Sequence, residues 1–143
     1  MTQGMQSLIS FWLKKNYRNI CNYLDQRLEQ YDLTNSQLSV LLTLWEQEGL
    51  TQKRVGQILG IQPASLTFLL RGLEKKEFIR REQDQQDTRA NRLYATSKSL
   101  LLKEDCLRIM EEGEQLLRQS FLDEEMALFR CWLERMEQNF NKY

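Results

Sequence analysis

Cationic side chains are the residues of this chain best suited to chemistry, and they cluster in one segment. Residues 52–92 hold nine Lys and Arg against five acids, a formal charge of +4, although the whole chain balances 20 basic with 20 acidic residues. A basic segment on an acidic remainder is typical of a protein that presents one face to phosphate groups. Charge alone leaves open a chance fluctuation over a segment of this length. The nine are Lys53, Arg54, Arg71, Lys75, Lys76, Arg80, Arg81, Arg89 and Arg92.

The sequence lacks the residues that catalytic, metal and disulfide sites commonly require. The 143-residue sequence contains no histidine, which removes the commonest general base and metal ligand. Its three cysteines, Cys21, Cys106 and Cys131, are widely spaced and include no Cys-x-x-Cys pair, so neither a disulfide framework nor a zinc site is indicated. The sequence also lacks a glycine-rich phosphate loop and a carboxylate pair on a recognisable catalytic scaffold. We therefore expect a protein without enzymatic activity, cofactor or metal.

A polar stretch, QDQQDTRA at residues 83–90, places an acid and a base two residues apart. The segments on either side, residues 78–82 and 91–96, are typical of short strands, so the stretch is predicted to be the tip of a β-hairpin. An arginine held out at such a tip, here Arg89, is suited to a region of negative potential such as the minor groove of DNA. Phosphates would repel Asp87, so we expect its carboxylate to hold the Arg89 side chain or to brace the loop. On composition alone, solvated loop charges would be the default interpretation of both residues, and their Asp-x-Arg spacing argues against it.

The segment before the hairpin is typical of a helix-turn-helix. Leu50-Thr51 is predicted to be a short strand that leads into a helix over residues 52–59. Gly60 lies where that helix should end, and Pro63 lies where the next should begin. Two helices joined by so short a turn and followed by a hairpin form a winged helix. The apolar side chains predicted to face inward are Val55, Ile58, Leu59, Leu66, Leu69, Leu70 and Leu73.

Helices are predicted on both sides of the winged helix. Residues 5–31 carry apolar side chains at three- and four-residue spacings, which indicates one long helix. Thr34 and Gln37 have the spacing of a capping box at the start of the next helix. That helix is apolar on nearly every side, so it should be the buried centre of the domain, and Gly49 should end it.

The C-terminal part of the chain is predicted to form two more helices. Thr96 or Ser97 caps the first, which runs from about residue 97 to 119, and Asp123 begins the second. The apolar residues of the first are Leu100, Leu101, Leu107, Met110, Leu116 and Leu117. The second repeats apolar residues in a heptad-like seam, which must pack on its own domain or on a second copy. The seam consists of Met126, Phe129, Leu133, Met136 and Phe140.

These elements predict a mainly α fold with a small β-hairpin wing. The length and composition favour a single domain over residues 1–143, with the winged helix-turn-helix lobe at about 33–96. The N-terminal residues lack the basic leader and the long apolar run of a targeting or membrane segment. We therefore expect a soluble, cytoplasmic protein.

This arrangement resembles the MarR family of bacterial transcriptional regulators over nearly the whole chain. Three stretches carry the resemblance: LTNSQLSVLLTLWE, LTQKRVGQILGIQPASLTFLLRGLEKKEFIRR and DTRANRLYAT, the last with the family's Asp-x-Arg wing pattern. The resemblance implies a homodimeric regulator, by family habit a repressor, with dimerisation helices at about residues 5–31 and 97–141. Each subunit would place its second helix-turn-helix helix in a major groove of a near-palindromic operator and its wing along the minor groove. Two positions depart from the family pattern, since Glu77 and Ser99 stand where glycine is usual.

The start of the second helix-turn-helix helix points towards base edges in this motif. Arg71 is the predicted direct reader, because arginine can hold guanine through two hydrogen bonds. Ser65 and Thr67 suit bases and phosphates equally well. Lysines and arginines at the ends of the two helices, Lys53, Arg54, Lys75 and Lys76, are better suited to phosphate or solvent. The predicted DNA-binding set is Gln62, Ala64, Ser65, Thr67, Arg71, Lys75, Arg89, Lys53 and Arg54, with Asp87 bracing the wing.

The resemblance also implies a dimer interface and a pocket for a small-molecule effector. The predicted dimerisation residues are Leu8, Phe11, Trp12, Met126, Phe129, Leu133, Met136 and Phe140. Aromatic side chains suit a pocket for a small aromatic or other effector, and Tyr17, Tyr23 and Trp45 are predicted there. The same aromatic residues suit a hydrophobic core equally well.

Two alternative functions remain open from the sequence. One branch of the family senses organic peroxides with a cysteine near the start of the first helix, but here Ser10 or a neighbour holds that place and Cys21 lies further along. Cys21 is therefore more simply interpreted as an incidental thiol. A winged helix that binds another protein instead of DNA would need a neutral or apolar recognition face, whereas the one predicted here is polar and basic.

Overall fold

Seven α-helices and three short strands make up residues 4–143, the part of the chain that the computed structural model describes. Residues 1–3 of the predicted domain lie outside it. The strands form one antiparallel sheet in the order β1-β3-β2. The elements are α1 (Ile9–Leu28), α2 (Asn35–Glu46), β1 (Leu50–Thr51), α3 (Gln52–Leu59), α4 (Pro63–Lys75), β2 (Ile79–Gln83), β3 (Asn91–Ala95), α5 (Ser97–Leu100), α6 (Lys103–Arg118) and α7 (Asp123–Phe140). The mainly α fold with a small β-hairpin is confirmed.

Leucine side chains from α2 and α4 fill the centre of the winged helix. Leu41 and Leu44 of α2 and Leu70 of α4 are fully buried, and each such side chain contributes about 1.5–3 kcal/mol to folding. The predicted capping box starts α2, since the Gln37 amide donates to Thr34 Oγ1 at 3.2 Å and the Thr34 amide donates to Gln37 Oε1 at 3.3 Å. The prediction that α2 is the buried centre is therefore confirmed.

The turn between α3 and α4 has the backbone that its residues predict. Gly60 ends α3 in the left-handed conformation with φ of 66°, and Pro63 is the first residue of α4. Gly56 allows the close approach of this turn, because a Cβ atom there would lie 3.2 Å from the carbonyl oxygen of Ile61. The hairpin follows, with β2 and β3 paired from Ile79 opposite Ala95 to Gln83 opposite Asn91.

Glu77, which stands where the family usually has glycine, links α4 to the hairpin in the left-handed conformation with φ of 60°. A residue with a Cβ atom adopts this conformation at a cost of about 1 kcal/mol. Two side chains at the start of α5, its cap Thr96 and Lys98, hold the same link. Thr96 Oγ1 donates to the Glu77 carbonyl at 2.7 Å, and Lys98 Nζ donates to the Lys76 carbonyl at 2.8 Å.

The single long helix predicted over residues 5–31 is interrupted at both ends. Leu8 has extended backbone (φ −83°, ψ 131°) and separates a short 3-10 turn, Met5–Ser7, from α1. The Trp12 indole N–H donates to the Gln6 carbonyl at 2.8 Å, which folds these first residues back onto α1. After α1 the chain tightens into a second 3-10 turn, Glu29–Tyr31, which a left-handed Asp32 ends.

The helix predicted from residue 97 to 119 is also broken. Thr96, one of the two predicted caps, accepts the Ser99 amide at Oγ1, but α5 lasts only one turn. The Leu102 amide then donates to the Ser99 carbonyl at 2.9 Å, and α6 begins after this turn. The turn shifts the helical register, so that Cys106 and Ile109 reach the core while Leu101 is 82% exposed.

One inward-facing residue was also predicted wrongly in α3. Val55 is buried and Leu59 is half-buried, but Ile58 is 46% exposed. The core-facing stripe of this eight-residue helix is narrow and includes only positions four residues apart.

The described residues divide into two compact units, and the division falls inside α6. The first unit ends at Met110 and the second is Glu111–Tyr143. The first unit also contains α1, so this division does not test the lobe predicted at about 33–96, which stays a prediction. Cys106 and Ile109 of α6 join the same core as α2 and α4.

Candidate nucleic-acid interface

The first turn of α4 presents its predicted base-reading residues to solvent. Gln62 precedes the helix, and Ala64 and Ser65 are exposed in its first turn. Arg71 is exposed two turns further on, and among residues 4–143 its guanidinium has no hydrogen bond or ion pair. These side chains are accessible to a partner along α4.

Thr67 is placed differently from its neighbours on α4. Its hydroxyl donates to the Pro63 carbonyl at 2.9 Å and accepts from Gln52 Nε2 at 2.9 Å. The side chain is half-buried between α3 and α4. This geometry favours a role in holding the two helices together over the predicted contact with a base.

Gln52 extends the same network to the hairpin. Its Oε1 accepts from Arg81 Nη1 at 3.0 Å, and Arg81 Nε donates to Glu74 Oε1 at 2.5 Å. Arg81 lies on β2, so this one side chain connects the first strand of the hairpin to the start of α3 and to the end of α4. Sequence reasoning missed these roles, because contacts between distant polar residues leave no local pattern.

Arg89 lies at the exposed tip of the hairpin, and among the described residues its guanidinium contacts no partner. Its backbone amide donates to Asp87 Oδ1 at 3.0 Å, and the Ala90 amide donates to the Asp87 carbonyl at 3.0 Å. Of the two forms of bracing predicted for Asp87, the structure has the contact to the loop backbone. The loop backbone therefore positions Arg89, and the Asp87 carboxylate does not hold the Arg89 guanidinium.

Two further residues of the hairpin, which the sequence did not single out, order the tip. Arg92 Nη2 lies 3.0 Å from Asp84 Oδ2, and Arg92 Nη1 donates to the Gly49 carbonyl at 2.7 Å. The other oxygen of Asp84 accepts the Gln86 amide at 2.9 Å. The pKa of the Asp84 carboxyl is held below its ordinary value by this amide first and by Arg92 next.

The cations predicted to serve phosphates fall into two groups. Lys53 and Arg54 are exposed in the first turn of α3, and Lys75 is exposed at the end of α4. Lys76 is instead held internally, since its Nζ donates to the Asp32 carbonyl at 2.5 Å and to Gln37 Oε1 at 2.9 Å. The assignment of Lys76 to phosphate or solvent is therefore wrong.

A cavity of about 650 Å³ lies beside α4 in the first unit. Tyr17 of α1, Ser36 and Ser39 of α2, and Ser65 and Phe68 of α4 line part of it. Of the three aromatic residues predicted around a pocket, only Tyr17 lines this one. The Tyr23 hydroxyl accepts from Arg27, and Trp45 packs against the core, so both are placed elsewhere.

The three cysteines are in different environments. Cys106 is buried, and its burial raises the pKa of the thiol to about 11. Cys21 is half-buried beside Tyr17, where a hydrogen bond with the thiol raises the pKa of the tyrosine hydroxyl. Cys131 is exposed on α7. Within the part of the chain that the structure describes, no group of acids and cysteines is arranged to hold a metal ion.

The helices predicted to dimerise carry apolar side chains that a single chain leaves uncovered. No residue of α7 is buried, and Phe129, Leu133 and Phe140 are 42%, 38% and 80% exposed. On α1, Trp12 is 46% exposed, with the Phe11 ring packed edge-on against it at 5.3 Å. Despite these surfaces, no helix within residues 4–143 is both long and apolar enough to cross a membrane.

Comparison with known proteins identifies relatives of this winged helix. Residues 33–90 match the model of the MarR family. The organic hydroperoxide resistance transcriptional regulator of Bacillus subtilis is 30% identical over 105 residues, which cover 73% of this chain and 71% of that protein. The transcriptional regulator TtmR of Methylorubrum extorquens is 42% identical over 82 residues, and this match spans 56% of the chain but only 42% of the length of TtmR.

Solved structures extend the similarity to nearly the whole chain. The crystal structure of the S. aureus MepR–DNA complex superposes with a TM-score of 0.86 at 32% identity, covering 92% of this chain and 98% of the other. A MarR protein from Peptoclostridium difficile superposes with a TM-score of 0.92 at 22% identity, covering 99% and 93%, which shows the fold alone. The winged helix with its exposed arginines, the matched family model and these relatives together establish that the chain belongs to the MarR family of transcriptional regulators.

Proposed function

We propose that this protein is a sequence-specific DNA-binding repressor that acts in the cytoplasm as a homodimer on a near-palindromic operator. The observation that carries the proposal is the contrast between internal and exposed cations on the winged helix. Arg81, Arg92 and Lys76 are engaged within the fold, whereas Arg71 and Arg89 are exposed without a partner among the described residues. A cation held out in this way is suited to a phosphate or a base edge.

Each subunit would place α4 in the major groove. The exposed Ala64 and Ser65 lie in its first turn, which is the part of a recognition helix that approaches base edges. Arg71 is long enough to reach a guanine and can donate two parallel hydrogen bonds to it. Lys53, Arg54 and Lys75 would then bind phosphates and fix the register of the protein on the duplex. The relative MepR, solved in complex with DNA, supports this mode of binding.

A homodimer follows from the uncovered apolar face of α7. Its seam residues repeat with a heptad-like spacing, yet none of them is buried in the single chain. Such a seam in water would be a large apolar patch, and a second copy of the same helix is complementary to it. A dimer with one reading helix per subunit should contact two half-sites about 10 base pairs apart.

The cavity beside α4 is the proposed site of a small-molecule effector. Its lining combines serine hydroxyls with the apolar side chains of Leu59, Ile61 and Leu69, which suits a small, partly apolar molecule with a hydrogen-bonding group. Because Ser65 and Phe68 belong to α4, an occupant would contact the reading helix directly. Binding there would thus shift the balance between DNA-competent and incompetent positions of α4.

Selection of bound duplexes from a random DNA pool, followed by footprinting, tests this function. We expect symmetrical half-sites in the enriched sequences. The Arg89→Ala variant should bind this operator about 1–3 kcal/mol more weakly than the unmodified protein, and its slope of log affinity against log salt concentration should be smaller by about one per subunit. Arg108→Ala is the matched control, since Arg108 is an exposed arginine of α6 paired with Asp105 at 3.0 Å, away from the hairpin. Binding of Arg89→Ala as tight as that of the unmodified protein at about 0.15 M salt would refute the wing contact. A selection that enriches no sequence would refute the DNA-binding function itself.

A further inference from the structure

The tip of the hairpin is tied to the body of the winged helix through the side chain of Arg92. Arg92 donates from Nε to Asp84 Oδ2 at 3.1 Å, with Nη2 3.0 Å from the same oxygen, while Nη1 donates to the Gly49 carbonyl at 2.7 Å. Gly49 lies in the corner between α2 and β1, outside the hairpin. We call this arrangement of Asp84, Arg92 and the Gly49 carbonyl the wing clamp.

Asp84 also organises the loop beyond it. Its Oδ1 accepts the Gln86 amide at 2.9 Å, and its own amide donates to the Ala90 carbonyl at 2.9 Å. The side chain of Asp84 is only 13% exposed, although it lies at the start of a polar tip. The last paired residues of the two strands are Gln83 and Asn91, so these bonds continue order into the loop that carries Arg89. The bonds to Asp87 described above act with them, as does the bond that Gln83 Nε2 donates to the Thr88 carbonyl at 2.8 Å.

We infer that the wing clamp is a positioning element that holds Arg89 ready for the minor groove, with Asp84 and Arg92 acting through Arg89. This inference rests on the proposed function of the wing. A two-stranded ribbon is marginally stable by itself, and each loop residue that must order on binding loses conformational entropy. A loop ordered in the free protein avoids that cost at the moment of binding.

The competing interpretation is that Arg92 binds a phosphate itself. The geometry opposes it, because Nε and Nη2 of Arg92 lie against the Asp84 carboxylate, which neutralises the charge, and Nη1 donates to the Gly49 carbonyl. The two interpretations predict opposite effects of Asp84→Asn. Removal of an acid that only balances Arg92 should strengthen binding to a polyanion. Removal of an acid that orders the tip should weaken it.

The first experiment compares Asp84→Asn with Glu82→Gln on the duplex enriched by the selection described above. Glu82 is a matched control, since it is an exposed acid on β2, two residues before Asp84, and its ion pair is with Arg80. We expect Asp84→Asn to bind about fivefold or more weakly, up to the loss seen for Arg89→Ala, and Glu82→Gln to bind equally well or more tightly. Trypsin should also cleave after Arg89 faster in Asp84→Asn than in the control, with an unchanged thermal melt for the rest of the chain.

A double-mutant cycle between Arg92 and Arg89 completes the test. If Arg92 acts through Arg89, Arg92→Gln weakens binding in the unmodified protein but has no further effect in Arg89→Ala. Arg92→Lys keeps the charge but cannot bridge Asp84 and Gly49 together, so it should not restore binding. Additive losses, rescue by lysine, or tighter binding of Asp84→Asn would each overturn the inference. Failure of Arg89→Ala to weaken binding would instead refute the proposed wing contact, while the trypsin comparison still tests the clamp.

Discussion

Gly72 of α4 is the position where one added carbon atom has the most direct structural consequence. A Cβ atom there would lie 2.8 Å from Gln37 Nε2, a separation that side-chain carbons do not tolerate. Gln37 is only 9% exposed, and its other side-chain atom, Oε1, accepts from the Thr34 amide and from Lys76 Nζ. Because Nε2 and Oε1 belong to one planar amide, we expect Gly72→Ala to displace this amide and to disrupt both bonds at Oε1.

The expected loss of stability follows from two opposing terms. Alanine in the interior of a helix is favoured over glycine by about 0.5–1 kcal/mol. Against this gain, a neutral hydrogen bond contributes about 0.5–1.5 kcal/mol and a bond to a charged group about 1.5–3 kcal/mol. Lys76 keeps 23% of its side chain exposed and can be partly resolvated, so its bond belongs at the low end of that range. We expect a net destabilisation of about 1–2 kcal/mol.

Urea unfolding followed by circular dichroism measures this change at a fixed protomer concentration, because stability of an associating protein depends on concentration. The midpoint should fall while the slope of free energy against urea stays constant. Gln37→Ala supplies the control background, in which Gly72→Ala has no side chain to displace and should stabilise the protein through helix propensity alone. An increase in stability from Gly72→Ala with Gln37 present would refute the reasoning.

Two more predictions concern the seam of α7 and the buried thiol. Phe129→Glu together with Leu133→Glu should give monomers or aggregates by light scattering, because charges would occupy the apolar seam; a dimeric double mutant would mean that α7 packs within its own subunit. Cys106 should resist iodoacetamide at about pH 8 until urea unfolds the chain, since a pKa of about 11 leaves only about one thiol in a thousand ionised. Labelling should rise as the pH approaches that pKa, and peptide mass spectrometry that finds Cys106 labelled as fast in the native state would contradict its burial.

Local signals account for most of the fold that could be predicted. The capping box of Thr34 and Gln37, the left-handed Gly60 and the N-terminal Pro63 act over three or four residues, so their consequences can be read directly from the chain. The hairpin was predictable for the same reason, because a polar tip between two short apolar-containing segments leaves few other structures. The resemblance to the MarR family then indicated how these elements combine into one fold.

The breaks in the predicted helices and the side-chain bonds between distant residues depend on tertiary contacts, so local sequence patterns could not predict them. The helix after Thr96 is interrupted, Cys106 and Ile109 join the core, and Leu101 beside the break is exposed, an arrangement that the leucine pattern of this segment did not indicate. Arg92 was counted among the cations, but its partner Asp84 is eight residues away and its second partner is a backbone carbonyl 43 residues away. Only the folded chain therefore shows which cationic side chains are available to bind a ligand.

The left-handed Glu77 gives the joint between α4 and the wing a preferred direction of movement. With glycine at this position, positive and negative φ would be about equally accessible, and the joint would favour neither conformation. With glutamate, any rearrangement of α4 against the wing that moves this residue to negative φ releases about 1 kcal/mol. That amount changes the ratio of two conformations about fivefold. The strained Glu77 backbone therefore favours departure from the observed arrangement of reading helix and wing, and the hydrogen bonds of Thr96 and Lys98 oppose that departure.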